Sequence, residues 1–329
     1  MLVAALLTAL LSACVRPAAT TSAPPPRTGT LLSDSLWSPS LGVWKRLVVY
    51  LPPSYSRDVD RRYPVAYYLH GMWGGERDWS TQGRIGAISD SLIARGMTEL
   101  IIAMPDGDNG YYTTWATPGT YGACRREPPI PEPVDTYCVP TPRYDEYLAR
   151  DVLRHVDSSY RTLADPSHRA VAGLSMGGYG AVTLALRYPD VWSTAASHSG
   201  VLALIARGRA SDGSLTGVPD GDALEEQWGP RFWELIEPVF GSDTAAWWAR
   251  EPARIARQRA TSNGPPPALF IDVGTDDRLV VAGNRLFVEE LQRLGIPASY
   301  REWPGAHTWD YWRAHVPESL QWIANRIGM

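Results

Sequence analysis

Gly173-Leu174-Ser175-Met176-Gly177-Gly178 is the stretch on which the reading of this chain turns. A short apolar run, Ala170-Val171-Ala172, precedes it, and a segment with helical spacing, residues 179–188, follows it. Strand, then G-x-S-x-G, then helix is the setting in which this pattern holds a serine on a sharp turn with its hydroxyl exposed. So tight a turn needs small residues on both sides, and Gly173 and Gly177 supply them. A helix starting directly behind the serine aims backbone N–H groups at the same spot, which suits a developing oxyanion. A bare G-x-S-x-G is common by chance, so the flanking strand and helix give it its meaning.

Outward from this turn, apolar runs alternate with helical spacings. Residues 44–50 alternate as a half-buried strand that Pro52-Pro53 ends. Residues 63–69 and 100–104 are continuous apolar runs, as in strands covered on both faces. Residues 191–196, 268–273 and 298–303 read as further strands. Helical spacing marks residues 85–94, 144–160, 280–294 and 309–327. Strands alternating with helices predict a mostly parallel α/β sheet with helices on both faces, whose ligands sit at the carboxyl ends of the strands. His70-Gly71-Met72-Trp73, Asp106-Gly107, Ser175 and His307 all fall at such ends.

The 329-residue chain is long enough for a large core, and 44% apolar with 20% charged residues is ordinary for a globular protein. A net charge of −4 without a basic stripe gives no argument for nucleic acid. Fourteen Trp and sixteen Tyr against four Phe favour amphipathic packing in core and rim, and offer rings that stack on sugars or aryl groups. Residues 1–13 are apolar and too short to span a bilayer, so residues 1–14 read as a signal segment. Residues 15–30 are rich in Pro, Thr and Ala and read as a flexible tether, leaving 31–329 as the folded domain. No His/Cys/Asp cluster has metal-ligand spacing, and Gly74-Gly75 lacks a phosphate-loop Lys-Ser/Thr, so neither a metal nor a nucleotide cofactor is expected.

Several short motifs, taken in order, resemble the esterase D family of α/β-hydrolases. They are Tyr50-Leu51-Pro52-Pro53-Ser54-Tyr55, Tyr63-Pro64-Val65, Leu69-His70-Gly71, Tyr144-Asp145-Glu146-Tyr147 and the Ser175 turn. Gly274-Thr275-Asp276-Asp277 and Gly305-Ala306-His307-Thr308-Trp309 extend the likeness over residues 37–322. That family includes S-formylglutathione hydrolases, feruloyl and acetyl-xylan esterases, enterochelin esterases and mycolyltransferases. Two regions depart from it, a Pro-rich insert at 116–142 and residues 202–240. Both are expected over the active-site face. Leu11-Ser12-Ala13-Cys14 resembles a bacterial lipobox, which implies lipidation of Cys14 and a cell-envelope lipoprotein. The alternative is a soluble secreted or periplasmic protein.

A serine hydroxyl needs a base and an orienting acid, and this fold supplies them in chain order Ser, Asp/Glu, His. Of six histidines, His70, His155 and His168 precede Ser175, and His198 precedes any credible acid and reads as core or site wall. His315 lies within the last helix, which leaves His307, in a loop directly after a strand. The acid belongs on the loop holding Asp276 and Asp277; the family pattern G-T-x-D selects Asp277, and Asp276 is expected to serve the following helix as an N-terminal cap. The oxyanion hole would use the backbone N–H groups of Met176 and Met72. With Cys14 lipidated, Cys124 and Cys138 remain in the Pro-rich insert, where a crosslink would contribute about 3 kcal/mol. The reading is an exported serine carboxylic-ester hydrolase acting on a small-molecule or carbohydrate ester, with a membrane contact only through Cys14 and oligomeric state left open. An acyltransferase with the same triad, and a non-catalytic binding protein on a hydrolase fold, are the alternatives.

Overall fold

The computed structural model describes residues 28–118, 121–126 and 133–328, and within it the apolar runs become the middle of one sheet. Its eight strands are β1 (Thr30–Ser38), β2 (Val43–Leu51), β3 (Val65–Leu69), β4 (Ile101–Pro105), β5 (Arg169–Leu174), β6 (Thr194–His198), β9 (Ala268–Gly274) and β10 (Ala298–Trp303). Between β6 and β9, strands β7 (Ala206–Arg209) and β8 (Leu215–Gly217) make a separate hairpin. The spatial order is β1-β2-β4-β3-β5-β6-β9-β10. Only the β1–β2 and β2–β4 pairs of this sheet are antiparallel. This is the α/β-hydrolase architecture that the sequence implies.

Every residue of β3, β4, β5 and β6 is buried, which is why β3 and β4 read as unbroken apolar runs. Alternate residues feed opposite layers. Val171 packs with helices Met176–Arg187 and Val281–Arg293, while Ala170 and Ala172 pack with helices Ile85–Ala94 and Trp309–Ile327. β1 escapes the hydropathy reading because its apolar residues, Leu31, Leu32, Leu36 and Trp37, do not alternate regularly with its polar ones and most of the strand is exposed at the sheet edge, yet it pairs residue for residue with β2. Thr30, counted with the tether from composition, therefore lies in the sheet. The signal segment, Cys14 and the rest of the tether through residue 27 lie outside the described residues. No helix among the described residues is long and apolar enough to cross a membrane.

Two elements depart from the expected boundaries. The strand expected at 191–196 begins at Thr194, because Val191 and Trp192 donate to the Tyr188 carbonyl and prolong the preceding turn. The helix expected over 144–160 contains a π-helical stretch, Tyr147–Val152. The Tyr147 hydroxyl there donates to the Asp106 carbonyl (3.0 Å), and Asp151 accepts from Ser38 Oγ (2.6 Å). Such a widening leaves no trace in apolar spacing.

The two inserts behave differently. Residues 202–248 build the β7–β8 hairpin and helices Gly221–Trp228, Pro230–Phe240 and Thr244–Trp248, and this cap walls the cavity described below. The Pro-rich insert carries a Cys124–Cys138 disulfide. Its described residues pack beside β2 and behind the cap, where Lys45 donates to the Thr136 carbonyl and Thr117 N–H to the Pro238 carbonyl. Among the described residues, none of 116–142 lines the cavity, and the second insert supplies its cover there.

Candidate active site

Ser175 stands between the end of β5 and helix Met176–Arg187 with φ 52° and ψ −117°, a conformation that side chains other than glycine rarely adopt. The turn is held from behind. Ser175 N–H donates to the His198 carbonyl (3.0 Å), and the Ser175 carbonyl accepts from Tyr179 (3.0 Å) and Val201 (3.2 Å). A Cβ on Gly177 would stand 2.3 Å from the Leu69 carbonyl oxygen, and one on Gly173 would stand 2.5 Å from the Gly177 carbonyl carbon. The glycines of the motif are thus required by close backbone approach on both sides of the serine.

His307 reaches Ser175 from the loop between β10 and helix Trp309–Ile327. Its Nε2 lies 2.9 Å from Ser175 Oγ, and its Nδ1 lies 2.7 Å from Oδ2 of Asp277. Asp277 is buried and about a quarter of the His307 side chain is exposed. Trp312 meets the His307 ring edge to face at 5.0 Å. The acid loop and the histidine loop are joined backbone to backbone, since Asp276 N–H donates to the Gly305 carbonyl (2.9 Å) and Thr275 N–H to the Trp303 carbonyl (2.8 Å). A Cβ on Gly274 would fall 2.2 Å from the Gly305 oxygen, so the two loops close only over a glycine.

Asp276 is exposed and turned away from this chain of contacts. The helix it was expected to cap starts at Val281 and has no side-chain cap, because Asp277 rather than Asp276 offers its backbone carbonyl to Val280 and Val281. The remaining histidines are engaged elsewhere. His70 accepts from Gly107 N–H at Nε2 (2.9 Å) and donates from Nδ1 to the Gly71 carbonyl (2.8 Å). His198 repeats the same residue types in the core, its Nδ1 2.6 Å from Asp272 and its Nε2 2.8 Å from Ser319 Oγ. All three of those side chains are buried, so this second set meets no substrate. His315 stacks flat on Trp303 at 4.2 Å.

Met176 opens the helix behind Ser175, and Met72 follows Gly71, where a Cβ would stand 3.5 Å from that of Ser175. The backbone N–H groups of Met72 and Met176 therefore belong to the two segments flanking the serine. Ser175 and His307 open into a cavity of ≈ 1010 Å³. Its walls are mainly apolar, with Trp228 and Phe232 from the cap, Leu202 behind the serine, and Trp309 with Trp312 beside the histidine. Arg207 and Arg278 line it as well. A group of this kind can transfer a proton from serine to histidine, stabilise the resulting imidazolium with a buried carboxylate, and hold an apolar group in the adjoining cavity. Asn109, Tyr111 and Tyr112, which hydrogen-bond to Trp73, Met72 and His70, escape a reading of motifs, because their positions depend on loop geometry.

Comparison with known proteins places these observations in a family. The model of the Esterase family, described as "Putative esterase", matches residues 38–323. Esterase Rv1288 of Mycobacterium tuberculosis is 28% identical over 278 residues, which is 82% of this chain and 53% of that protein. The chain thus spans about half the length of that relative. An acetyl esterase of Caldicellulosiruptor saccharolyticus is 22% identical over 274 residues, covering 82% of this chain and 87% of its own. Among solved structures, a ferulic acid esterase superposes with a TM-score of 0.67 at 24% identity, covering 92% of this chain and 99% of its own. That likeness carries the fold.

Proposed function

Because the chain belongs to the Esterase family, we propose that it is a serine carboxylic-ester hydrolase in which Ser175, His307 and Asp277 form the catalytic triad. The observation that carries the reading is the continuous contact from Asp277 through His307 to Ser175 at the mouth of an apolar cavity, 2.7 Å and then 2.9 Å. Ser175 Oγ attacks the ester carbonyl carbon while His307 Nε2 takes its proton, and Asp277 accepts the Nδ1–H and stabilises the imidazolium. The negative charge on the tetrahedral oxygen meets the N–H groups of Met72 and Met176 and the positive end of helix Met176–Arg187. His307 then gives its proton to the leaving alcohol. Water repeats the sequence on the acyl-enzyme and releases the acid.

The size and lining of the cavity favour an acyl or aryl group larger than acetyl, in the range of small-molecule pockets. Export, with Cys14 as the lipidated residue, belongs to the same proposal, and so does the choice of water over an alcohol as acyl acceptor. A panel of p-nitrophenyl and feruloyl esters, with and without an acceptor sugar and read by mass spectrometry of the products, tests the reaction. A fluorophosphonate should label the native protein and leave Ser175→Ala unlabelled. Equal turnover in that variant would overturn the assignment, and sugar esters as the main product would make it an acyltransferase.

A further inference from the structure

Behind the loop His70-Gly71-Met72-Trp73 lies a second loop, residues 106–112, in which three non-glycine residues take positive φ: Asp108 (47°), Tyr111 (52°) and Tyr112 (50°). Such conformations persist only where their surroundings enforce them, and the structure shows what does so here. At its base, Lys45 of β2 is fully buried, with its Nζ 2.7 Å from Asp106 and 2.8 Å from Asp108. The Tyr144 hydroxyl donates to the other Asp108 oxygen (2.6 Å). At its tip the loop grips the neighbouring one at four points. Gly107 N–H donates to His70 Nε2 (2.9 Å), and the Tyr112 hydroxyl donates to the His70 carbonyl (3.1 Å). Asn109 Oδ1 accepts the Trp73 N–H (2.8 Å), and the Tyr111 hydroxyl donates to the Met72 sulfur (3.3 Å).

The same loop also touches the nucleophile's helix. The Tyr112 ring is seated so close to Gly180 that a Cβ there would meet it at 2.6 Å, and Tyr111 packs edge to face on Tyr179 at 5.8 Å. Phe240 of the cap meets Tyr111 at 4.8 Å and Tyr179 at 6.1 Å, so the three rings form one cluster. Burial holds both phenols well above their ordinary pKa, so each remains a hydrogen-bond donor at any working pH.

We infer that residues 107–112 are a clamp that sets the position of the Met72 N–H relative to Ser175, with Tyr111 and Asn109 as positioning residues for the oxyanion hole. This rests on the reading of Met72 as an oxyanion donor. The Trp73 N–H is spent on Asn109 and the Met72 side chain is tied to Tyr111, so the peptide between Met72 and its neighbours is held from both sides. A preorganised donor stabilises a transition state because it does not reorganise as charge develops. An error of a fraction of an ångström in its position therefore appears in kcat and leaves substrate binding unchanged.

Asn109→Leu and Tyr111→Phe test this, assayed on one activated ester beside the native protein. Each should lower kcat about tenfold or more with KM within about threefold. Inhibition by a boronic acid, which becomes tetrahedral on Ser175, should weaken by the same factor. Asn109→Asp, which keeps an acceptor for Trp73, should recover most of the loss. Unchanged kcat in both variants would overturn the clamp, as would a loss of turnover with boronate inhibition intact. A rise in KM with kcat preserved would also overturn it, because that is the mark of general loosening. These outcomes leave the esterase reading standing. That reading falls separately, taking the clamp with it, if hydrolysis by the native protein does not depend on Ser175.

Discussion

Asp277→Asn is the sharpest test of how the site is wired. The native carboxylate is buried and its Oδ2 lies 2.7 Å from His307 Nδ1, so in the proposed triad it both fixes the tautomer and balances the imidazolium charge. The amide has the same size, but it removes the charge and can present an N–H to Nδ1, which puts the ring proton on Nε2 facing Ser175. In the serine-protease precedent this change lowers turnover about 10⁴-fold, equivalent to about 5 kcal/mol of transition-state stabilisation. Here about a quarter of the His307 side chain reaches solvent, which offsets part of the lost charge balance. The expected loss is therefore about 10³- to 10⁴-fold in kcat, with KM little changed. Asp276→Asn is the internal control, because Asp276 is exposed and engages its neighbours through its backbone. It should stay within about threefold of native turnover. Both variants are to be assayed on p-nitrophenyl acetate at neutral pH, with thermal unfolding as a check on folding. A near-native Asp277→Asn, or a larger loss in Asp276→Asn, would refute the reasoning.

Lys45→Met should destabilise the fold by about 3–5 kcal/mol, because it leaves Asp106 and Asp108 buried without their cation. In the native protein burial pushes the Asp106 carboxyl up, but the Lys45 ammonium 2.7 Å away overcomes this and holds it below its ordinary value. Its stabilisation is therefore present above the unfolded carboxylate pKa of about 3.9 and is lost as pH falls below it. Without Lys45 the buried carboxyls would take up protons instead, so the deficit seen in denaturant unfolding should shrink from pH 8 to pH 5; a deficit under about 1 kcal/mol, or one that grows on acidification, counts against the network. The oxidised protein lacking residues 1–14 should titrate no free thiol until reduced, since Cys124 and Cys138 are bridged, and two reactive thiols in the native protein would remove the crosslink. Cells producing the full chain should incorporate labelled palmitate, and Cys14→Ala should abolish it; unchanged labelling would exclude Cys14 as the lipidated residue.

Local signals were enough to mark the proposed nucleophile, the proposed base and the sheet that carries them. A strand buried on both faces is a continuous apolar run, as in residues 65–69 and 101–105, and a turn that admits only glycine beside Ser175 shows its glycines in the sequence. Chain order on a known fold then leaves His307, and the family pattern leaves Asp277. Composition says nothing of an edge strand such as β1, whose partner at β2 supplies what its own residues lack. Two matters were decided only by tertiary structure. One is the buried contact of Ser319, His198 and Asp272 at similar distances, which chain order sets aside as a site but does not reveal as a contact. The other is what holds Met72. Lys45, Asn109, Tyr111 and Tyr112 come from a strand and a loop that no motif links to residues 70–73, and they meet because β2, β4 and β3 are neighbours in the sheet. Hydrogen bonds between loops are set by where strands end in space, and the order of residues along one chain does not record that distance.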